Sequence, residues 1–440
     1  MFQQPFARAA AKCVLSFDNR FVKPNTHGRT AEVMMMDSSH FKAPLVLFLL
    51  VATALLCSAE TMNGSPLLWG DLQPGGYQVG FRVLYKHDRS RAWIQSKGNP
   101  TDSGRPIRIS LWYPARFAKG ISTMQYGDYF HYESNGNFRD VNNDLEKYDR
   151  SSWLEDLNEV APNGTETFAR LCSTPVAAVR NARPASGRFP LVLYAGGLGS
   201  RADANVELGE YLASHGYIMA TVAQLGPSAE EPTLETTAGE AGVHVDDLEF
   251  AVKVLRRLPN IDAKHLAIAG HSAGGVAALE FAARNPEVTV VLGLDGSYGF
   301  LPEPHRTEEV MRALNGLHVG QVRAFLLDMR RADGVQEAKL DSTVVDRMVR
   351  SDRYLVTFMR MFHGDFTEFG TIGLKLSVPL PPNNDGRTRE TGFMGNQHAY
   401  RAAVDFLDAN LKKKPEALHL FLTEIANTEG AKIAHKAPLP

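Results

Sequence analysis

From residue 189 onward, short continuous apolar runs alternate with amphipathic ones. Residues 190–194 (PLVLY) form such a run and lead into Gly196-Gly197-Leu198-Gly199. The pattern then predicts a helix over 205–215 and a strand over 217–222. Beyond a polar loop, residues 224–242, comes an amphipathic helix whose apolar face carries Leu248, Val252 and Leu255. Next are a strand over 265–269, a helix over 274–284 and a strand over 288–294. A strand over 322–327 precedes a charged helical stretch, and a helix over 399–411 closes the domain. Strands that are apolar at every position must be covered on both faces. The alternation therefore predicts an α/β fold, a mostly parallel central sheet with helices on both sides.

Before residue 189 the pattern differs. Residues 60–125 read as β-rich: Val79, Phe81, Val83 and Tyr85 alternate with other residues, and 107–113 form a strand ending at Pro114. Residues 126–187 are polar and aromatic, with helical patches such as 153–160, and read as a cap-like insertion. Residues 43–57 (APLVLFLLVATALLC) carry no charge and are shorter than a spanning helix requires. Lys42 precedes them and Cys57-Ser58-Ala59 follows, the pattern of a secretory signal peptide cut before Glu60. Met34-Met35-Met36 stands at the right distance to begin it. The expected organisation is therefore an upstream extension and signal peptide over 1–59, with the signal itself near 34–59, and one folded unit over 60–440. The location expected is secreted or periplasmic, with no membrane span left after cleavage.

Composition narrows the classes. Of 440 residues, 44% are hydrophobic and 22% charged, which excludes a mainly disordered chain, a collagen and a multi-span membrane protein. The formal net charge is -2, and loss of residues 1–59 takes six basic and three acidic side chains with it. No basic field invites nucleic acid. Three cysteines allow neither a disulfide framework nor a four-cysteine zinc site.

The chemistry concentrates in Gly270-His271-Ser272-Ala273-Gly274-Gly275, between an apolar strand and a helix. This fits the nucleophile elbow, G-x-S-x-G, where small residues flank a turn too tight for side chains and the serine stands exposed above the sheet. A serine nucleophile needs a base, and the base an orienting acid, in the chain order Ser, acid, His. Four histidines follow before the last helix ends: His305, His318, His363 and His398. His363 leaves a late apolar run, 354–358, on a loop, where a general base belongs. For the acid, Asp295 follows the strand 288–294, while Asp328 and Asp333 follow the next strand, the more usual position.

Several motifs carry a resemblance. Gly76-Tyr77-Gln78-Val79-Gly80 and Leu111-Trp112-Tyr113-Pro114 resemble the opening strands of the plasma-type platelet-activating factor acetylhydrolases, among the dienelactone hydrolase-like α/β-hydrolases. Ala195-Gly196-Gly197-Leu198-Gly199-Ser200 is similar to that family's H-G-L-G turn, with Gly196 in place of its histidine. Residues 211–217 (YLASHGY) resemble its helix exit, and His363-Gly364-Asp365-Phe366-Thr367-Glu368-Phe369 its H-x-x-F-x-[DE]-F. Ala223-Gln224 departs from the acidic residue and histidine that relatives often carry.

The resemblance covers residues 75–411 and implies an α/β-hydrolase domain without metal or organic cofactor. It implies a catalytic set of Ser272, Asp295 and His363, with Asp295 preferred to Asp328 and Asp333. The backbone N–H groups of Leu198 and Ala273 would form the oxyanion hole. The expected activity is hydrolysis of carboxylic esters, short acyl esters of small molecules or lipids. An acyltransferase or peptidase on the same residues is the enzymatic alternative, and an inactive hydrolase-like binding protein the non-enzymatic one. Tyr126, Tyr129 and Tyr132, with the loop 224–242, are expected to wall the site with polar groups.

Overall fold

The computed structural model describes residues 66–93, 104–118, 120–133, 136–226, 241–299, 308–332, 341–380 and 386–439. The expected signal segment, most of the loop 224–242, and the candidates His305 and Asp333 lie outside them.

Among the described residues ten strands form one sheet: β1 (Gln78–Asp88), β2 (Arg105–Ala115), β3 (Ala178–Arg180), β4 (Phe189–Ala195), β5 (Ile218–Val222), β6 (Ile261–His271), β7 (Val288–Leu294), β8 (Phe325–Arg331), β9 (Arg353–Phe358) and β10 (Ala431–Lys436). Their order is β10-β9-β8-β7-β6-β4-β5-β2-β1-β3. The six from β5 to β9 are mutually parallel. β2 and β10 flank that block antiparallel, and β1 runs antiparallel to β2.

Side chains alternate across the pleat. On β4, Leu191 and Leu193 join one core layer, under the helices Ala241–Leu255 and Ala273–Arg284. Val192 and Tyr194 join the other, under Val206–Ser214 and Arg389–Asn410. Leu248, Val252 and Leu255 are all buried, as their spacing predicts. Each such side chain, fully withdrawn from water, contributes about 1.5–3 kcal/mol. Both faces are therefore covered, as the continuous apolar strands require.

Three elements differ from the reading of the sequence. β8 starts at Phe325 and continues through Asp328, Arg330 and Arg331, which are buried rather than part of a charged helix. Asp328 is thus a strand residue, not a loop carboxylate. It accepts a hydrogen bond from Tyr298 Oη at 3.0 Å and pairs with Arg330. The helix expected over 399–411 starts at Arg389, capped by Thr388, whose hydroxyl accepts from the N–H of Thr391 at 3.1 Å while the Thr391 hydroxyl accepts from the N–H of Thr388. Nor does it close the fold, because the helix Pro415–Asn427 and then β10 follow it.

The segment 126–187 folds onto the sheet. It carries the helices Arg139–Val160 and Gly164–Ser173, then β3, which pairs parallel with β1 at the sheet edge. Tyr126, Tyr129 and Tyr132 are buried inside this junction and do not form an exposed polar wall. Their hydroxyls are used there, on Glu368, Glu210 and Asp149 respectively. An aromatic ring with one polar tip can be buried when the tip finds a partner.

Glu210 ties this junction to the helix Val206–Ser214. Its carboxylate accepts from Trp69 Nε1 at 2.9 Å, Tyr129 Oη at 2.9 Å, and the N–H groups of Ala177 and Ala178 at 3.0 Å each. Burial pushes its carboxyl above the usual range, while these four donors favour the charged form. Glu210→Ala would strand four buried donors, so it should cost about 3–5 kcal/mol. A urea titration should show the lowered midpoint; an unchanged midpoint would mean that the junction does not depend on this carboxylate.

Candidate active site

The elbow is built from strand, turn and helix. β6 delivers His271, Ser272 takes φ 55° and ψ -126°, and the helix starts at Ala273. Positive φ at a non-glycine residue is costly and is found where the surroundings enforce it. Here they do: a Cβ on Gly274 would lie 2.0 Å from the carbonyl oxygen of Ala195, and one on Gly270 2.2 Å from that of Gly274. The Ser272 carbonyl accepts from the N–H of Gly275 at 3.0 Å and of Ser297 at 2.9 Å.

The turn after β4 passes directly over the serine. A Cβ on Gly197 would lie 3.1 Å from Ser272 Cβ. Leu198 comes next and is 42% exposed. Ala273, the first residue of its helix, has an N–H with no acceptor inside that helix. Gln224 Nε2 donates to the Gly196 carbonyl at 2.8 Å, and the N–H of Ser200 to that of Gly197 at 3.1 Å, so the turn is pinned from both sides.

Asp295 follows β7 and is fully buried. His363 follows β9 on a short 3₁₀ turn, with its side chain one-third exposed. His363 Nδ1 lies 2.6 Å from Asp295 Oδ2. A carboxylate can only accept, so Nδ1 carries the proton, and in the neutral ring Nε2 is then the acceptor nitrogen. Burial works to raise the Asp295 carboxyl, but the hydrogen bond and charge of His363 and the nearby Arg331 outweigh it and hold it below the usual range. Asp295 is therefore ionised at neutral pH.

His271 ties base to nucleophile. Its ring stacks on that of His363, with centroids 4.5 Å apart and planes 28° apart, and its Nε2–H donates to the His363 carbonyl at 3.1 Å. Burial, followed by the neighbouring His363, pushes His271 down to about 3, so it is a neutral spacer. The structure thus gathers Ser272, Asp295, His363, Leu198 and Ala273 at one edge of the sheet. It leaves out the other described candidates. Asp328 is occupied within β8, His318 is exposed on a separate 3₁₀ turn, and His398 pairs with Glu424 at 2.6 Å.

The helix Arg139–Val160 braces two loops of this site. Tyr148 Oη donates to the Gly199 carbonyl at 2.8 Å, and Asp149 accepts from the N–H of Ala202 at 3.1 Å. The Arg201 guanidinium sits 4.1 Å over the Trp153 ring and pairs with Asp156. Trp153 also stacks on Phe369, six residues beyond His363. Sequence reasoning missed these partners and also Arg331. His271 at least stood inside the elbow motif, whereas Tyr148 and Arg331 carried no signal beyond ordinary helix and charge patterns.

Among the described residues no group of three or more His, Cys, Asp or Glu side chains could hold a metal ion, and no helix is long and apolar enough to cross a membrane.

The family model described as chlorophyllase matches residues 157–315, which include Leu198, Ser272, Ala273 and Asp295 and stop before His363. Among solved structures, the ferulic acid esterase from Streptomyces cinnamoneus aligns over 78% of this chain and 93% of its own, with a TM-score of 0.52 and 19% identity. No curated protein matches the sequence. The chain has an α/β-hydrolase fold. The matching family model is that of chlorophyllase and not that of the platelet-activating factor acetylhydrolases expected from the motifs.

Proposed function

We propose that this chain is a serine hydrolase that cleaves carboxylic esters through an acyl-enzyme on Ser272. The observation that carries the reading is the 2.6 Å contact from His363 Nδ1 to a fully buried Asp295, on a histidine whose ring stacks beside the elbow. The chlorophyllase model, and the esterase name of the structural neighbour, agree with this reading.

In the first half-reaction, His363 Nε2 takes the proton of Ser272 Oγ as the oxygen attacks the ester carbonyl. The backbone N–H groups of Leu198 and Ala273 receive the negative charge that develops on the carbonyl oxygen. Fixed amides of this kind are worth about 10²–10³ in rate each. Asp295 stays ionised, orients the imidazole and stabilises the imidazolium. His363 then returns the proton to the departing alcohol. In the second half-reaction it deprotonates a water, which releases the acid and restores Ser272.

Ser272→Ala should leave the fold intact, lower esterase turnover by roughly 10⁴-fold or more, and abolish labelling by a fluorophosphonate probe. Asp295→Asn should lower kcat by about 10³- to 10⁴-fold. Asp328→Asn should act on stability through Arg330 and Tyr298 and leave kcat nearly unchanged. Retained turnover in a folded Ser272→Ala protein would end this reading.

On substrate, we propose short acyl groups. The turn that carries Leu198 continues through Ser200 and Arg201, and Tyr148 Oη donates to its Gly199 carbonyl, so polar groups stand next to the exposed Leu198 in this turn. Along a series of p-nitrophenyl esters, kcat/KM should fall from acetate or butyrate to palmitate; a rise with chain length would contradict this assignment.

We also propose that the chain is exported, on the charge-flanked apolar run 43–57. Mass spectrometry of protein recovered outside the cytoplasm should find an N-terminus near Glu60, and protein retained in the cytoplasm with residues 34–59 intact would contradict export.

A further inference from the structure

Asp295 is held by more than His363. Arg331 ends β8, the strand beside β7, and reaches the same carboxylate twice. Its backbone N–H donates to Asp295 Oδ1 at 3.1 Å. Its side-chain Nε lies 3.0 Å from Oδ2, the oxygen that also receives His363 Nδ1 at 2.6 Å. The arginine side chain is only 9% exposed and the aspartate 0% exposed, so solvent screens this cation little.

A carboxylate beside an imidazole favours the protonated ring, and a cation on the same carboxylate offsets part of that pull. We propose that Arg331 is a positioning residue: by sharing Oδ2 of Asp295 with His363, it weakens the carboxylate's hold on the imidazolium and keeps the base deprotonated further into the acid range. This rests on the reading of Ser272, His363 and Asp295 given above. The register of the sheet supports it. In β8, Met329 stands opposite Leu294 and accepts the Asp295 N–H at 2.7 Å, so the chain two residues later passes Asp295 at bonding distance. The arginine is fixed by the same strand pairing that fixes the acid.

Other charged and titratable groups surround His363. From the end of β6, His271 stacks on it as a neutral ring. On its own loop, the buried Asp365 accepts the Phe362 N–H at 2.7 Å, and burial pushes it up to about 6. Arg387 lies 3.9 Å over the Phe362 ring, and Arg387 and Arg389 both act on Asp365. Glu368 lies further along and faces Arg201. Arg331 differs from these in touching the carboxylate that His363 uses. Asp365 is the group that would titrate in the same window, so it needs its own control.

The test follows the rate of fluorophosphonate labelling against pH, with melting curves to check that each variant is folded. Arg331→Gln should move the acid limb of the profile up by roughly one unit. Arg331→Lys, which keeps the cation, should hold the limb within a few tenths of a unit, and Asp365→Asn should leave it in place. An unmoved limb in folded Arg331→Gln, or an equal shift in Arg331→Lys, overturns the proposal. If Arg331→Gln does not fold, Arg331→Met is read in its place. A limb that disappears in Asp365→Asn overturns the proposal without any change at Arg331. Labelling that persists in Ser272→Ala would instead mean that the nucleophile itself is misassigned, so the two failures are distinct.

Discussion

No side chain fits between Gly274 and the carbonyl oxygen of Ala195, and the rest of the site depends on that contact. It seats the elbow helix directly on the end of β4. With the helix seated there, the turn Gly196–Gly199 runs beside Ser272, close enough that a Cβ on Gly197 would lie 3.1 Å from the serine Cβ. The unfavourable φ of Ser272, worth about 1–3 kcal/mol, is sustained by the buried underside of the same helix, including Leu279 and Phe281.

Parallel pairing does the rest. Neighbouring parallel strands end on one edge, so groups far apart in sequence meet there without any local motif. His271, Asp295 and Arg331 stand at the ends of β6, β7 and β8, and His363 follows β9. The helix Arg139–Val160 lies against this edge from a different part of the chain, fastening the turn after Leu198 through Tyr148 and the loop after His363 through Trp153. A segment that reads as an accessory insertion is thereby part of the frame of the site.

What could be read from sequence were the places where burial is purely apolar. β4, β7, the helix with Leu248, Val252 and Leu255, and the elbow all announce themselves through continuous or periodic hydrophobicity. Reading failed where polar groups are buried in pairs. β8 looks finished at Leu327 because Asp328, Arg330 and Arg331 follow, yet each is buried with a partner of opposite charge or a hydroxyl. The first turns of Arg389–Asn410 are hidden for the same reason, since Asn396 and Gln397 are fully buried in a network with Thr371 and Glu207. The choice of Asp295 came from motif resemblance rather than pattern. Spacing alone could not tell it from Asp328, because the difference lies in which strand ends beneath the histidine.

The two borders of the sheet have a consequence of their own. A long, flat, apolar border strand would offer unpaired backbone groups to another chain and invite self-association. Here β3 is three residues long. β10 places Lys432, His435 and Lys436 around Ile433, with Lys436 drawn onto Asp346 and His435 onto Asp352 and the Tyr354 ring. A strand arriving at β10 would meet these charges, whereas at the other border β3 covers only Val79, Gly80 and Phe81 of β1. The sheet that concentrates reactive groups at one end thus carries charge along its β10 border, which disfavours pairing with another chain there.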